Sequence, residues 1–331
     1  MIIAEIAQAH EGSLGIAHSY IDALAECGVD AVKFQTHIAE AESSEFENFR
    51  VNFSFEDNTR FDYWKRMEFS LEQWRGLKEH CDKVGVEFIS SPFSCAAVDL
   101  LEEIGVQRYK IGSGEMTNFL MLAKIAKTGK PIILSSGMSD YNELEECIEF
   151  LKPFGNKLSL LQCTTAYPTE PKQWGLIEIA RLKEKYGIPI GYSDHSSDIT
   201  ACIAATAMGA EILEFHAVFD KNMFGPDAKA SLDLGEIAQL VQSVKKLQKS
   251  LKYTPDKTDV SSYKELKVLF GKSLSVNKNL QAGHILTLDD LESKKPGNMG
   301  IAAKDFKMVV GKSLNKSLLK WDFIQSEDLE Q

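Results

Sequence analysis

The feature that most constrains this chain is a recurrence. Short apolar runs rich in Ile, Val and Leu return at intervals of roughly 20 to 30 residues, with one longer gap, and helix-like stretches separate them. Eight runs can be counted: "IIAEIA" (2–7), "AVKFQ" (31–35), "EFIS" (87–90), "RYKIG" (108–112), "PIILSS" (131–136), "LSLLQC" (158–163), "PIGYS" (189–193) and "ILEFH" (212–216). Between them, 94–104, 140–151 and 196–208 carry apolar residues at helical spacing. Repeated β-α units build a parallel sheet, and eight of them close a (β/α)8 barrel of the TIM type.

Such barrels place their chemistry at the C-terminal ends of the strands. Polar residues collect at those ends here: Gln8, His10 and Glu11; Ser90 and Ser91; Ser113 and Glu115; Ser135 and Ser136; Thr164 and Thr165; Ser193, Asp194 and His195; and His216. An open doubly wound sheet would gather them near one switch point. Marking of seven of the eight ends therefore favours closure. The connection 36–70, rich in charged and aromatic residues, is long for its type and is expected over the barrel mouth.

Composition narrows the function. Hydrophobic residues make up 44% and charged residues 26% of the 331, as in a globular protein with a substantial core. A net charge of −11 repels phosphate backbones and anionic lipid, so neither nucleic acid nor membrane is an expected partner. The opening "MIIAEIAQAHEG" has no basic leader and its apolar run is broken by Glu5, unlike a signal peptide. The six cysteines lack paired metal-ligand spacing and read as reduced thiols of a cytoplasmic protein.

After a helix at about 234–250, "LKYTPDKTDVSS" (251–262) loses its apolar pattern and reads as a linker. Beyond it the chain repeats itself: "GKSLSVNKNLQAGHILTLDDLE" (271–292) aligns with "GKSLNKSLLKWDFIQSEDLE" (311–330). Two such copies predict a compact β-rich module of similar halves. The expected organisation is a barrel over 1–250, the linker, and the module over 263–331.

Several residues point to chemistry. Lys33 and Gln35, two apart, project to one face of their strand, which in a barrel is the interior. Lys110 repeats the arrangement, and buried lysine is rare unless paired. A structural ion pair between Lys33 and Glu5 is one explanation. Two interior lysines near serine-bearing strand ends fit an anionic ligand better. Ser113 between glycines, and Ser135–Ser136 before Gly137, supply hydroxyls and accessible backbone N–H groups, although each alone is also an ordinary turn. His195 and His216 end neighbouring strands, where two imidazoles could hold a divalent transition metal with open positions, or could simply be hydrogen-bonded. "FGPDAKASLD" (224–233) presents Asp227 and Lys229 beside them, or is only a loop. His18, His80 and His284 read as surface residues.

Together "EIAQAHEGS", "VKFQT", "YKIGSGE", "ILSSGM", "CTTAYPTE", "GYSDHS", "FGPDAKASL" and "KKPGNMGI" resemble, in order and over essentially the whole chain, the N-acetylneuraminate (sialic acid) synthase family. The resemblance implies a TIM barrel with a small C-terminal domain similar to type III antifreeze protein, the SAF domain. It also implies condensation of phosphoenolpyruvate with an N-acetylated sugar aldehyde, using manganese or another divalent ion such as magnesium or cobalt. Carried over by motif, His195 and His216 would hold the metal, while Lys33, Ser91, Lys110, Ser113, Ser135 and Ser193 would surround phosphoenolpyruvate. Glu11, Glu115 and Asp227 would serve catalysis. Gln35, Thr165, Tyr167 and Lys295 would face the sugar, with Lys295 or its neighbour Lys294 reaching in from a partner chain in a domain-swapped homodimer. Thr165 stands where Asn is usual, Phe215 where a basic residue precedes the second histidine, and Lys295 where Arg is common; these bear on the sugar, with legionaminate and pseudaminate synthases as alternatives. A carbohydrate-recognition protein without turnover, or a Schiff-base aldolase using Lys33 or Lys110, would be the rivals.

Overall fold

A computed structural model describes residues 1–51 and 53–330, which form two compact units, Met1–Tyr253 and Thr254–Gln331. The first is a closed barrel of eight strands in chain order. They are β1 (Ile2–Ala7), β2 (Ala31–Thr36), β3 (Glu87–Pro92), β4 (Tyr109–Lys110), β5 (Ile132–Ser135), β6 (Leu158–Cys163), β7 (Ile190–Asp194) and β8 (Leu213–His216). Each of the eight apolar runs became a strand, with shifts of a few residues at the ends. Helices Cys95–Ile104, Tyr141–Leu151 and Ile199–Ala207 occupy the stretches of helical spacing. Local signals fix where helices begin: Ser70, Asp140 and Asp233 each accept from a backbone N–H three residues on, and the side chains of Gln73, Glu143 and Glu236 bond back.

Outward-facing strand residues pack under the helices in one large core. The inward-facing set is layered. At the bottom Ile3, Ala31, Ile89, Ile133, Leu161 and Ile212 form a separate apolar plug. Two residues further along each strand the side chains turn polar, with Glu5, Lys33, Ser91, Ser135, Cys163, Ser193 and Glu214 all buried. Strand β1 carries an irregularity between Glu5 and Ala7, and Ala7 has φ +47°, so the chain leaves the barrel directly above Glu5.

Segment 36–70 forms a strap with two short helices, Ala39–Glu42 and Arg60–Met67. It has its own small core of Ala39, Tyr63, Trp64 and Met67, joined by Phe49, Phe53 and Phe61. His37 pins its start, stacked between Trp64 and Phe93 at 3.9 and 4.6 Å.

The second unit obeys the sequence repeat. β9 (Ser273–Val276) pairs antiparallel with β10 (Leu291–Lys294) over a core that includes Leu274, Leu280, Leu286, Leu314, Leu318 and Ile324. Equivalent aspartates do equivalent work in the two copies. Asp290 accepts from Thr287 and pairs with Lys278 at 2.7 Å, and Asp328 accepts from Gln325 and pairs with Lys316 at 2.6 Å. Among the described residues no helix is long and apolar enough to cross a membrane.

Gly191 is the one plug-level position without a side chain, for a steric reason: a Cβ there would lie 2.4 Å from both Ile212 O and Leu161 Cδ2. Gly191→Ala is therefore expected to lower unfolding stability by about 1–3 kcal/mol through overpacking, measured by urea denaturation. An unchanged midpoint would show that β7 can shift freely.

Candidate active site

Above the plug lies a cavity of about 360 Å³ at the C-terminal ends of the strands, within the range of small-ligand sites. Thirteen residues singled out from the sequence line it: Lys33, Gln35, Ser91, Lys110, Ser113, Glu115, Ser135, Thr165, Tyr167, Ser193, His195, His216 and Asp227. The strap adds His37, Glu42, Glu47, Arg50, Phe53, Arg60, Tyr63 and Trp64, so it does lie over the mouth. Glu11 is outside this lining. Its backbone turns away with φ +48°, and its carboxylate is held 2.9 Å from Arg66. Lys295 belongs to the second unit, with its ammonium 5.0 Å from the Phe270 ring.

The floor is a buried charge cluster. Lys33 Nζ lies 2.7 Å from Glu5 Oε1 and 3.4 Å from Glu214 Oε1, and Lys110 Nζ lies 3.4 Å from that same Glu214 oxygen. Gln35 donates to Glu5 at 2.7 Å, and Ser193 to Glu214 at 3.2 Å. The structural pair of Lys33 with Glu5 is thus real, and it coexists with a second, less fully paired lysine. Burial works against both charged forms of Lys33 and Glu5. Their mutual attraction, with Glu214 also acting on Lys33, prevails, so Lys33 is raised and Glu5 is held far below the usual carboxylate range. For Lys110 burial wins, and its pKa falls.

Serine and glycine build the wall. Ser113 Oγ accepts from Gly137 N–H at 3.1 Å. A Cβ on Gly137 would sit 2.5 Å from that hydroxyl and 2.4 Å from Thr165 Oγ1, so only glycine lets this loop approach.

The two imidazoles meet, with ring centroids 5.2 Å apart. His195 Nδ1–H donates to Thr164 O at 3.1 Å, which aims its other nitrogen away from the carbonyl. His216 Nε2 is 3.4 Å from Glu5 Oε2. Burial lowers the pKa of His216. Burial also opposes charge on His195, but the neighbouring Cys163 sulfur and the Thr164 carbonyl raise it to about 9. Among the described residues no set of three or more His, Cys, Asp or Glu side chains converges as a ready-made cage. Tyr167 packs on His195 at 4.2 Å between ring centroids. Glu115 is half-buried, which raises its carboxyl, while Asn118 donates to it at 2.7 Å.

Sequence reasoning missed Glu214, Cys163 and Arg50. Glu214 had a signal: a lone acid inside an apolar strand, two residues before His216, projects inward with it. His18 and His80 are partly exposed and contact each other, with His80 bonded to Asp22 at 2.6 Å.

A closed parallel barrel with buried ammonium groups, hydroxyls and paired imidazoles at its C-terminal mouth has the arrangement of a barrel enzyme. The comparisons specify which kind. The chain belongs to the NeuB family, which it matches over residues 20–255, and residues 271–330 match the SAF domain. It is 35% identical to the N,N'-diacetyllegionaminic acid synthase of Campylobacter jejuni, covering 98% of each chain. It is also 35% identical to the N-acetylneuraminate-9-phosphate synthase of Homo sapiens, over 98% of this chain and 91% of that one. The crystal structure of the N-acetylneuraminic acid synthetase of Leptospira borgpetersenii in complex with citrate superposes with a TM-score of 0.70 at 33% identity, covering 80% of this chain and 90% of that one. With these synthases, this chain is an enzyme.

Glu214 holds two buried ammonium groups, so Glu214→Gln is expected to cost about 3–5 kcal/mol of stability at pH 7. The loss should shrink as pH rises toward 10, because Lys110, already lowered by burial, sheds its proton first. Denaturation curves at pH 7 and 9.5 measure both effects. A cost that did not depend on pH would mean that the pairing with Lys33, which stays charged, carries the loss and that Lys110 does not.

Proposed function

We propose that the enzyme condenses phosphoenolpyruvate with an N-acetylated sugar aldehyde, N-acetylmannosamine or a related hexose, giving a nine-carbon 2-keto sugar acid and inorganic phosphate. The observation that carries this reading is the meeting, in one cavity, of Lys33 and Lys110 with four serines and the imidazoles of His195 and His216. Similarity along the whole chain to synthases of neuraminate and legionaminic acid supports it.

In this reading Lys33 and Lys110 neutralise the carboxylate and phosphate, and Ser91, Ser113, Ser135 and Ser193 donate hydrogen bonds to their oxygens. The methylene carbon of phosphoenolpyruvate forms the new bond to the aldehyde carbon, water adds to the former enol carbon, and phosphate leaves. Glu115, its carboxyl raised by burial, is placed to move a proton. Gln35, Thr165, Tyr167 and Asp227 line the acceptor side.

The donor set fits a divalent metal, manganese before magnesium or cobalt. His216 is kept neutral by burial, and the Nδ1–H of His195 is committed to Thr164 O; a bound cation would displace the second imidazole proton that the Cys163 sulfur favours, and Nε2 would then be the donor atom. When bound, such an ion supplies Lewis-acid charge to a carbonyl oxygen. One observation favours a rival: the lowered Lys110 is the amine a Schiff-base aldolase would use.

Phosphate release from phosphoenolpyruvate across a panel of N-acetylated six-carbon aldehydes tests the reading. We expect release with at least one N-acetylated acceptor, loss in excess EDTA, recovery with manganese, and no borohydride-trapped adduct. Full turnover by a demonstrably metal-free enzyme, or a reduced adduct on Lys110, would overturn it.

We further propose a homodimer in which the SAF unit of one copy covers the barrel mouth of the other and presents Lys295. Mixing Lys295→Ala with His195→Ala chains should then restore part of the activity, since one composite site of each mixed dimer is intact. No recovery in verified mixed dimers would refute the exchange.

A further inference from the structure

We propose that Arg50, on the strap after β2, is an acceptor-specificity residue of this site; the inference rests on the reading above. Arg50 reaches across the mouth to the far wall. Its guanidinium carbon lies 4.1 Å from the centroid of the Tyr167 ring, on the loop after β6. Its Nη2 donates to Asp227 Oδ1 at 2.6 Å, on the loop after β8. Tyr167 in turn packs on His195, so guanidinium, phenol and imidazole stack from solvent down to the paired histidines.

Strap folding does not require this reach. His37 lies between Trp64 and Phe93, Arg66 ties Glu11 to Asp57, and Phe53 packs on Phe224. The Arg50 side chain is 41% exposed, and an ion pair of that kind adds little to stability. Arg60, by contrast, spends its charge inside the strap on Glu47 and Trp64.

A guanidinium has five N–H donors in a rigid fork, and Asp227 takes one. Its seat over the Tyr167 ring and its bond to Asp227 hold the fork at the mouth beside two residues that line the cavity. The structure therefore assigns Arg50 the recognition of a hydrogen-bond-accepting oxygen, an amide carbonyl or hydroxyl, on the part of the sugar farthest from the lysine floor.

The test uses the full-length chain with Arg50→Met, which keeps length without donors, and Arg50→Lys, which keeps charge without the fork. We expect Arg50→Met to raise the acceptor KM about tenfold or more, the loss of one charge-assisted bond. The phosphoenolpyruvate KM should stay within about twofold, the melting temperature should be unchanged, and Arg50→Lys should fall between. Calorimetric titration with the panel sugars gives the same comparison without turnover. A wild-type chain that binds a sugar but releases no phosphate refutes the reaction and still tests Arg50 through Kd. An acceptor KM or Kd within twofold of wild type in Arg50→Met, an equal loss for phosphoenolpyruvate, or a wild type that binds no panel sugar would overturn the proposal.

Discussion

The site depends on the closure of β1 onto β8. Register places Glu5 beside Lys33 on one side and beside His216 on the other, and Ser193 beside Glu214. Taking a single ammonium or carboxylate out of water costs several kcal/mol, so Lys110, whose carboxylate partner Glu214 lies on β8, could not be buried in an open sheet. Closure supplies Glu214, which reaches both lysines, and adds it to the Glu5 that β1 already sets beside Lys33. The floor then carries two cations and two anions, but Glu214 is shared between both lysines. That leaves Lys110 with only a divided countercharge.

Much of this was legible in the sequence, because periodicity is a local property. Alternation of two placed Lys33, Gln35 and Lys110 inside, and the repeated β-α pattern located every strand. What escaped depended on contacts between distant segments. Glu214 acquires its role only when β8 meets the lysines of β2 and β4. Arg50 lies in a stretch without periodicity, and nothing in "ENFRVNF" announces a reach to Tyr167, more than a hundred residues away. Glu11 follows β1 as its place in the sequence indicates, but its pairing with Arg66, fifty-five residues on, is again a contact between distant segments.

The second unit shows local encoding at its strongest. Both copies end in an aspartate that caps its own short turn and draws in a lysine from twelve residues earlier. The device survives a two-residue difference between the copies because each capping box spans only four residues. Strand pairing tolerates such length changes less well, which fits the isolated bridges that join the halves, Leu280 with Leu318 and Ile285 with Ser313.

The apolar plug of Ile3, Ala31, Ile89, Ile133, Leu161 and Ile212 has a consequence for traffic. It closes the barrel below the lysines, while the strap lines the cavity on its other side. On the proposed reaction, a molecule seated against Lys33 and Lys110 would arrive before anything that rests above it, and whatever remained at the floor would depart last. The order of that queue would then be set by six hydrocarbon side chains that never touch a reactant.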